Sequence, residues 1–481
     1  MSAPARVLRD AVAALHAAGT PSQLYGSGET MYEGISIDSR TLASRALYVA
    51  IRGERFDGHA FAQAAQERGA AALLLEHPMN VGLPQIVVPD ARHALGTIAA
   101  AWRRQFAIPL IGVAGSNGKT TTTQMIASIL AHAFGERDGH RAWFATIGNR
   151  NNEIGVPLML LELREEHRAA VLELGMNHPG EIEVLTDWAR PTVALITNAQ
   201  REHQEFLDSV EATAQENGAA IRGLDADGIA VFPADDLCAG IWRADAGLRR
   251  SVDFALRGAA RVTAQAMIEA QSSRMQLHTP SGKIEFDLPV GGEHNVRNAL
   301  AAAAACIAAG IPDEAIAQGL AAFRPVSGRG TRYRLRGGIA VIDDSYNANP
   351  DSMRAAIDLL AHHAGRRLLV LGDMAEVGVR GPEFHEEIGA YARARGIEQL
   401  FAFGPLSRST VSAFGSGSRH FDSMEELLGA VAPYASAGPD APAGEPATAL
   451  TILIKGSRSM RMERVGAILA PQSVHGAAHH A

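Results

Sequence analysis

Residues 111–121 bring together residue types that can bind a nucleotide phosphate. The glycines let backbone N–H groups turn toward an anion, Lys119 can reach the β- and γ-phosphates, and Thr120 can hold Mg²⁺ at the start of a helix. The strict pattern has a glycine about five residues before Gly118, where this chain has Val113, so the spacing is a variant. We predict a phosphate loop, with a chance glycine-lysine turn as the alternative. The predicted loop comprises Gly115, Ser116, Asn117, Gly118, Lys119, Thr120 and Thr121.

A carboxylate and a histidine follow two later apolar runs. Glu173 ends the run that starts at 169, and His203 comes after the run 193–198. The carboxyl ends of parallel strands meet at one edge, where open α/β sheets bind their ligands. Mg²⁺ on a phosphate takes one or two carboxylates, so Glu173 is the first candidate ligand, and an ion-paired or helix-capping glutamate is the alternative. A lone histidine is more often structural than functional, so His203 carries no assignment by itself.

The flanking pattern predicts a strand, a turn and a helix around the loop. Residues 110–114 form an apolar run, and after the loop apolar residues recur at helical spacing until Gly135. Further strands and an alanine-rich helix are expected at 170–174, 193–198 and 296–309. We therefore predict a central domain, residues 96–325, built on a parallel sheet of the kind found in phosphate-loop ATPases.

The residues before this domain predict a small α/β domain, residues 1–95. Short strands are expected at 35–37, 46–51 and 85–88, with a helix at 61–67. The first residues carry charges and lack a long apolar core followed by a cleavage site, so they do not read as a secretory signal.

A new alternation of strands and helices begins after the glycine-rich run 327–330 and predicts a third domain, residues 326–481. Its strands are expected at 339–342, 368–371, 400–403 and 450–454, a spacing that fits a Rossmann-like parallel sheet. Residues 436–446 are expected to form a surface loop. The end of the chain is expected to be a frayed tail whose histidines are solvated rather than bound to metal, at His475, His479 and His480. The predicted fold class is thus α/β in three domains.

Composition narrows the functional classes. The chain has 481 residues, enough for about three domains, and is 47% hydrophobic and 20% charged, as in ordinary globular proteins. No segment approaches the ~20 apolar residues of a membrane span, so we expect a cytoplasmic protein without membrane insertion. A net charge of -8 argues against general nucleic-acid binding. With cysteine only at 238 and 306, a disulfide framework is not expected.

The motifs and their order resemble the Mur ligases, a family that makes peptidoglycan precursors for the bacterial cell wall. The resemblance covers nearly the whole chain. Besides the phosphate loop, the matching segments are Asp38-Ser39-Arg40 and residues 53–59, 148–157, 173–178, 292–298, 343–350, 372–374 and 455–458.

The resemblance implies an ATP-dependent amide ligase whose co-substrate is ATP and whose metal is Mg²⁺. The motifs favour the member that joins D-Ala-D-Ala to UDP-N-acetylmuramoyl-tripeptide through an acyl phosphate. In that case the first domain binds the uridine nucleotide, the second binds ATP and the third is a Rossmann-like ligase domain. We expect a monomer, and the third residue of the tripeptide is either diaminopimelate or lysine.

The resemblance also implies roles for individual residues. The catalytic set is Lys119, Glu173, His203 and Arg329. One Mg²⁺ is assigned to Thr120 and Glu173, and a second to Glu173 with His203. Besides the phosphate loop, the ATP site has Asn295 for adenine, Arg329 for the phosphates and Asp344 for the ribose. The uridine nucleotide is assigned to Ser39, Arg40 and Gly53, and D-Ala-D-Ala to Tyr346, Asn347 and Asn349.

One departure from the family pattern concerns the second metal. Mur ligases usually carry a carbamylated lysine about a dozen residues after the position of His203, and its carbamate acts as a magnesium ligand. Residues 210–221 contain no lysine, and the preceding run 200–206 differs from the usual glycine-bearing form. Glu216, or a water held by Asn217, could replace the carbamate. We therefore expect activity without bicarbonate.

Other functions share parts of this pattern. The ligase that adds the third amino acid is expected to carry an Asp-Asn-Pro-Arg motif, which this sequence lacks. Folylpolyglutamate synthase shares the phosphate loop without the uridine-nucleotide domain. A GTP switch would need an Asn-Lys-x-Asp motif, and residues 197–200 lack the lysine. A non-catalytic nucleotide-binding module would leave the candidate side chains without a role, namely Glu173, His203, Arg329 and Asp344.

Overall fold

The computed structural model describes residues 5–53, 56–137, 139–202, 204–335, 338–435 and 450–470. His203, the predicted loop 436–446 and the predicted tail with its three histidines lie outside the described residues. No helix in the described part of the chain is long and apolar enough to cross a membrane.

The first domain is built on a five-stranded sheet in the order β2-β7-β6-β5-β4, and β1 pairs separately with β3. The sequence prediction located β4, β5, β7 and α2, but it missed β1, β2, β3 and β6. The predicted boundary at residue 95 falls within α3. The elements are β1 Ala5–Val7, α1 Leu8–Ala17, β2 Gln23–Tyr25, β3 Met31–Glu33, β4 Ile35–Ser36, β5 Leu47–Val49, α2 Ala62–Glu67, β6 Ala72–Leu75, β7 Gln85–Val87 and α3 Ala91–Arg103.

The central domain contains a nine-stranded sheet in the order β11-β12-β8-β13-β14-β15-β16-β17-β18. Its first half consists of β8 Leu110–Ala114, α4 Lys119–Phe134, β9 Glu136–Arg137, β10 His140–Arg141, β11 Trp143–Ala145, α5 Gly155–Leu160, β12 Ala169–Glu173, α6 Glu181–Ala189 and β13 Val193–Ile196. Its second half consists of α7 Val210–Arg222, β14 Ile229–Pro233, α8 Ala239–Ala246, β15 Arg250–Ala255, β16 Val262–Ile268, β17 Ser273–Thr279, β18 Gly282–Leu288, α9 Glu293–Ala308 and α10 Asp313–Ala321.

The prediction of a parallel central sheet is correct for the strands around the phosphate loop and incomplete at one edge. The pairings from β11 through β16 are parallel, whereas β16 pairs with β17 and β17 with β18 in antiparallel fashion. Short connections join these last strands, and an antiparallel strand needs no helical crossover. β18 alternates exposed and buried residues, as expected for a strand with one solvated face.

The loop-bearing strand β8 lies in the middle of this sheet. It pairs with β12 on one side, where Val113 is opposite Glu173, and with β13 on the other, where Ala114 is opposite Ile196. All five residues of β8 are buried, because helices cover both faces of a parallel sheet. The register therefore brings the carboxyl ends of three strands to one edge.

The third domain has a six-stranded sheet in the order β19-β20-β24-β21-β22-β23. The strands from β20 onward are parallel, as predicted, and β19 is an antiparallel edge strand. The elements are β19 Thr331–Arg334, β20 Ala340–Asp344, α11 Pro350–Ala361, β21 Arg366–Gly372, α12 Gly381–Ala394, β22 Gln399–Phe403, α13 Ser407–Phe414, β23 Ser418–Phe421, α14 Met424–Ala435, β24 Leu450–Lys455 and α15 Glu463–Leu469.

Candidate active site

A cavity of about 560 Å³ lies between the central and third domains. Its central wall includes the phosphate loop from Ser116 to Thr121, Glu173, Glu202 and the start of α9. The wall from the third domain follows the carboxyl ends of β20 and β24. Its predicted site residues are Arg329, Asp344, Tyr346, Asn347 and Asn349. The fold therefore brings together the residues predicted for ATP and for the acceptor.

The phosphate loop requires glycine at two positions. Gly115 has φ of 122°, and a Cβ there would lie 2.2 Å from Oγ1 of Thr197. Gly118 has φ of 81°, and a Cβ there would lie 2.1 Å from Oδ1 of Asn298. Both the backbone conformation and the close neighbours exclude a side chain at these two positions. The loop therefore depends on its glycines even though their spacing is a variant.

Neighbouring strands and helices hold the loop backbone in place. The N–H of Gly115 donates to Oδ1 of Asn217 at 2.7 Å, and the N–H of Ser116 donates to the carbonyl of Asn198 at 3.1 Å. The N–H of Asn117 donates to Oδ1 of Asn198 at 3.0 Å. These bonds lie within the central domain, so the loop keeps this conformation without a bound phosphate.

The side chain of Lys119 lies over its own loop. Its Nζ donates to the carbonyls of Gly115 at 2.6 Å and Ser116 at 3.0 Å, and pairs with Oε1 of Glu202 at 2.7 Å. The side chain is 12% exposed, so its charge is confined to the cavity. Glu202 is a cavity residue that the sequence prediction did not assign.

Glu173 lies at the edge of the sheet as predicted, and it is 3% exposed. The hydroxyl of Thr120 donates to its Oε2 at 2.7 Å, and Nδ2 of Asn151 donates to its Oε1 at 2.8 Å. The sequence prediction included Asn151 in a family motif but gave it no role. A hydroxyl and a carboxylate side by side are hard oxygen donors, which suit Mg²⁺ bound also to phosphate and water.

Glu216 and Asn217, the residues proposed in place of the family's carbamylated lysine, bond to other groups of the protein. Oε1 of Glu216 accepts from the N–H of Ile182 at 3.1 Å, at the start of α6. Asn217 is 1% exposed, and besides accepting from Gly115 it donates to the carbonyl of Thr213 at 2.9 Å. Neither side chain lines the cavity. In the described part of the chain, no group of three or more histidine, cysteine or acidic residues is placed to hold a metal.

On the opposite wall, Lys455 fixes the end of β20. Its Nζ donates to Oδ2 of Asp344 at 2.6 Å and to the carbonyl of Asn347 at 2.9 Å, and the residue is 4% exposed. The guanidinium of Arg329 lies 4.0 Å from the centre of the Tyr346 ring, and that of Arg458 lies 5.6 Å from it. Two cations thus flank this ring beside the cavity.

Asn349 has a structural role that the acceptor prediction did not include. Its side chain caps α11 by accepting from the N–H of Ser352 at 2.8 Å. The same amide donates to Oδ1 of Asn117 at 2.9 Å, and Asn117 donates back at 3.2 Å. Asn347, by contrast, is exposed, and its Oδ1 accepts from the N–H of Ala348 at 2.8 Å.

One predicted nucleotide residue, Asn295, lies where α9 begins. Asn295 lines the cavity, and its Nδ2 donates to the carbonyl of Gly291 at 2.8 Å. The adjacent His294 also lines the cavity, and burial lowers the pKa of its imidazole. The neutral ring suits a contact with an apolar or hydrogen-bonding group rather than with phosphate.

The residues predicted for the uridine nucleotide do not line this cavity. Arg40 is exposed and forms a two-bond pair with Asp38, from Nε at 2.9 Å and from Nη2 at 2.8 Å. The hydrogen bonds from Arg40 lower the pKa of Asp38 to about 2. The N–H of Gly53 donates to the carbonyl of Phe56 at 2.9 Å. Ser39 is buried.

Known proteins share this arrangement. Three family models match parts of this chain. They are the Mur ligase family catalytic domain over residues 31–103, the Mur ligase middle domain over 113–306 and the Mur ligase glutamate ligase domain over 328–458. UDP-N-acetylmuramoyl-tripeptide--D-alanyl-D-alanine ligase of Escherichia coli K12 is 38% identical over 92% of this chain and 94% of its own length. The chain belongs to the Mur ligase family.

Solved structures of Mur ligases agree with the three-domain architecture. A crystal structure of MurF from Acinetobacter baumannii is 31% identical, has a TM-score of 0.88, and is matched over 98% of this chain and 99% of that one. MurF from Thermotoga maritima in complex with ADP is 25% identical with a TM-score of 0.77, over 91% and 96%. The predicted family and fold are therefore confirmed.

Proposed function

We propose that this protein uses ATP to join D-Ala-D-Ala to UDP-N-acetylmuramoyl-tripeptide, giving the UDP-muramoyl-pentapeptide used in peptidoglycan synthesis. The observation that carries the proposal is the cavity itself, where the phosphate loop faces the turn after β20. A nucleotide on one wall and an acceptor on the other would meet within this one cavity. The name of the Escherichia coli relative supports the same reaction.

The reaction needs activation because a carboxylate is a poor electrophile at neutral pH. The terminal carboxylate of the tripeptide attacks the γ-phosphorus of ATP, forming an acyl phosphate and releasing ADP. The amine of D-Ala-D-Ala then attacks the acyl carbon, loses a proton, and phosphate leaves with the bonding electrons of the C–O bond. Both steps concentrate negative charge, so the protein contributes mainly positioning and electrostatic stabilisation.

The central wall supplies groups for the phosphoryl transfer. The loop N–H groups and Lys119 would bind the β- and γ-phosphates, and Arg329 would reach them from the third domain. Thr120 and Glu173 would hold Mg²⁺, which neutralises charge on the phosphates when bound. Asn151 orients the Glu173 carboxylate through its 2.8 Å hydrogen bond. We assign Asn295 to adenine and Asp344 to the ribose, as the family pattern implies.

The second step is assigned to the turn after β20. We propose that Tyr346, Asn347 and Asn349 form the D-Ala-D-Ala site, with Asn347 as the exposed amide that contacts the dipeptide. Ser39, Arg40 and Gly53 would bind the uridine nucleotide on the first domain, away from the cavity. Because the cavity is built from a single chain, we propose an active monomer. Its nucleotide substrates favour a location in the cytoplasm.

A reconstituted reaction tests this function. Protein, Mg²⁺, ATP, UDP-muramoyl tripeptide and D-Ala-D-Ala are mixed, and ADP, phosphate and pentapeptide product are measured together. We expect stoichiometric ADP and product only when every component is present. Replacing the substrates with UDP-muramoyl dipeptide and diaminopimelate, or with folate and glutamate, tests the two related ligases. Turnover with either of these pairs, together with no turnover with UDP-muramoyl tripeptide and D-Ala-D-Ala, would refute the proposal.

A further inference from the structure

Three successive residues after β13 connect the two walls of the cavity. Gln200 contacts the phosphate loop: its N–H donates to Oγ of Ser116 at 3.0 Å, and its Oε1 accepts from Nδ2 of Asn117 at 2.6 Å. Glu202 contacts the same loop through its ion pair with Lys119 at 2.7 Å. Arg201, between them, points instead to the third domain. We call residues 200–202 the connecting segment.

Arg201 binds two carboxylates of the third domain. Its Nη2 donates to Oδ1 of Asp351 at 2.6 Å, and its Nη1 donates to Oε2 of Glu387 at 2.6 Å. The backbone N–H of Arg201 also donates to Oδ2 of Asp351 at 2.8 Å. The side chain is 21% exposed, so solvent screens these pairs only in part. The hydrogen bonds from Arg201 lower the pKa of Glu387, which keeps that carboxylate charged.

The partners of Arg201 are attached to the turn after β20, residues 345–349, which carries the proposed D-Ala-D-Ala site and which we call the acceptor turn. Asp351 lies in the first turn of α11, two residues after Asn349, which caps that helix. Glu387 lies on α12, which packs directly against α11. Fixing these two carboxylates therefore fixes the start of α11, and with it the turn that carries Asn347.

We propose that Arg201 is a positioning residue that couples the phosphate loop to the acceptor turn, holding the third domain where the attacking amine can reach the acyl phosphate. The proposal rests on the function proposed above. A guanidinium presents several N–H donors in a rigid plane and can bind two carboxylates at once, whereas a lysine ammonium is a point charge without that geometry. Arginine rather than any cation is therefore required.

The test compares Arg201→Ala, Arg201→Lys and Arg354→Ala in the full chain. Arg354 is the matched control, because it binds Glu387 from within the third domain and does not cross the cavity. For Arg201→Ala we expect the KM for D-Ala-D-Ala to rise at least about tenfold, equivalent to about 1.4 kcal/mol, while the KM for ATP changes by less than about twofold. Arg201→Lys should keep most of the defect, and Arg354→Ala should behave like the unmodified protein.

A second measurement does not depend on the acceptor. Small-angle X-ray scattering with a non-hydrolysable ATP analogue and Mg²⁺ should show a compact form of the unmodified protein and of Arg354→Ala, and a more extended form of Arg201→Ala. This comparison remains informative if the reconstituted ligation fails, so the two proposals can fail separately. Melting temperatures within a few degrees of each other establish that the variants are folded.

The proposal is overturned by any of three results. One is equal scattering of folded Arg201→Ala and the unmodified protein. Another is a parallel rise of both KM values, which would show a general loss of structure rather than of coupling. The third is full activity of Arg201→Lys, which would reduce the role of Arg201 to a simple charge.

Discussion

The two walls of the cavity are built in different ways. The phosphate loop is held by hydrogen bonds that its backbone N–H groups donate to the side chains of Asn198 and Asn217, which lie in the same domain. The acceptor turn is held partly across the domain boundary, by Asn117 through Asn349 and by Arg201 through Asp351. One wall is complete within its own domain, and the other takes its position from contacts between domains.

The two reaction steps depend on the domain arrangement to different degrees. A loop preformed in one domain can bind the phosphates of ATP first, and Arg329 and Asp344 then add their contacts from the third domain. The acceptor turn is held in place when the third domain lies against the central one, and this closure forms the cavity between them. Closure of this kind excludes water from a reactive intermediate, and an acyl phosphate needs such protection. Mutations on the two walls should therefore have separable effects.

The largest effect is expected on the preformed wall, from Lys119→Ala. Losing one preorganised contact to developing charge typically costs ~3–4 kcal/mol, or about 100- to 1000-fold in kcat. Steady-state kinetics of ADP release measures the loss, and thermal unfolding checks that the fold survives. Lys283, an exposed lysine on β18, supplies the control Lys283→Ala, which should be unaffected. Turnover of Lys119→Ala near that of the control would refute its role.

Glu173→Gln should also impair activity strongly, but its defect should shrink as Mg²⁺ is raised. The substitution keeps the size of the side chain and removes the charge that a divalent cation requires. A magnesium titration of the variant and of the unmodified protein separates metal affinity from structure. A defect that stays constant across the titration would exclude Glu173 as a ligand.

On the other wall, Asn347→Ala and Asn349→Ala should differ. Asn347→Ala should raise the KM for D-Ala-D-Ala roughly tenfold or more, given ~1–3 kcal/mol for a polar group left unpaired, with little change for ATP. Asn349→Ala should in addition lower the free energy of unfolding by about 1 kcal/mol, because it removes the cap of α11. Steady-state kinetics measures the KM values, and chemical denaturation measures the free energy of unfolding. A shift in the ATP parameters alone would place the turn in the nucleotide site.

The smallest expected effect is that of bicarbonate, which should not change activity. Lysine occurs only at 119, 283 and 455. Lys119 is paired with Glu202, Lys455 is bonded to Asp344, and Lys283 is an exposed residue of β18. Assays in CO₂-free buffer at mildly acidic pH, with and without added bicarbonate, test this. Recovery of lost activity by bicarbonate would show that one of these lysines is carbamylated.

The same contrast explains how much could be predicted from sequence. The phosphate loop, Glu173 and the turn after β20 are continuous motifs at the ends of apolar strands, and the rules for parallel sheets bring such ends together. Asn217 and Arg201 act through partners that lie 102 and 150 residues away. Local spacing does not encode such contacts. The antiparallel strands β17 and β18 were missed for a related reason, since they lie outside the alternation of strands and helices.

Formation of the acyl phosphate can be tested directly by isotope transfer. UDP-muramoyl tripeptide labelled with ¹⁸O in its terminal carboxylate is ligated to D-Ala-D-Ala, and the released phosphate is examined by mass spectrometry. We predict one ¹⁸O atom in each phosphate formed, because the oxygen that attacks the γ-phosphorus leaves with it. Pentapeptide formed together with unlabelled phosphate from the fully labelled substrate would contradict this account.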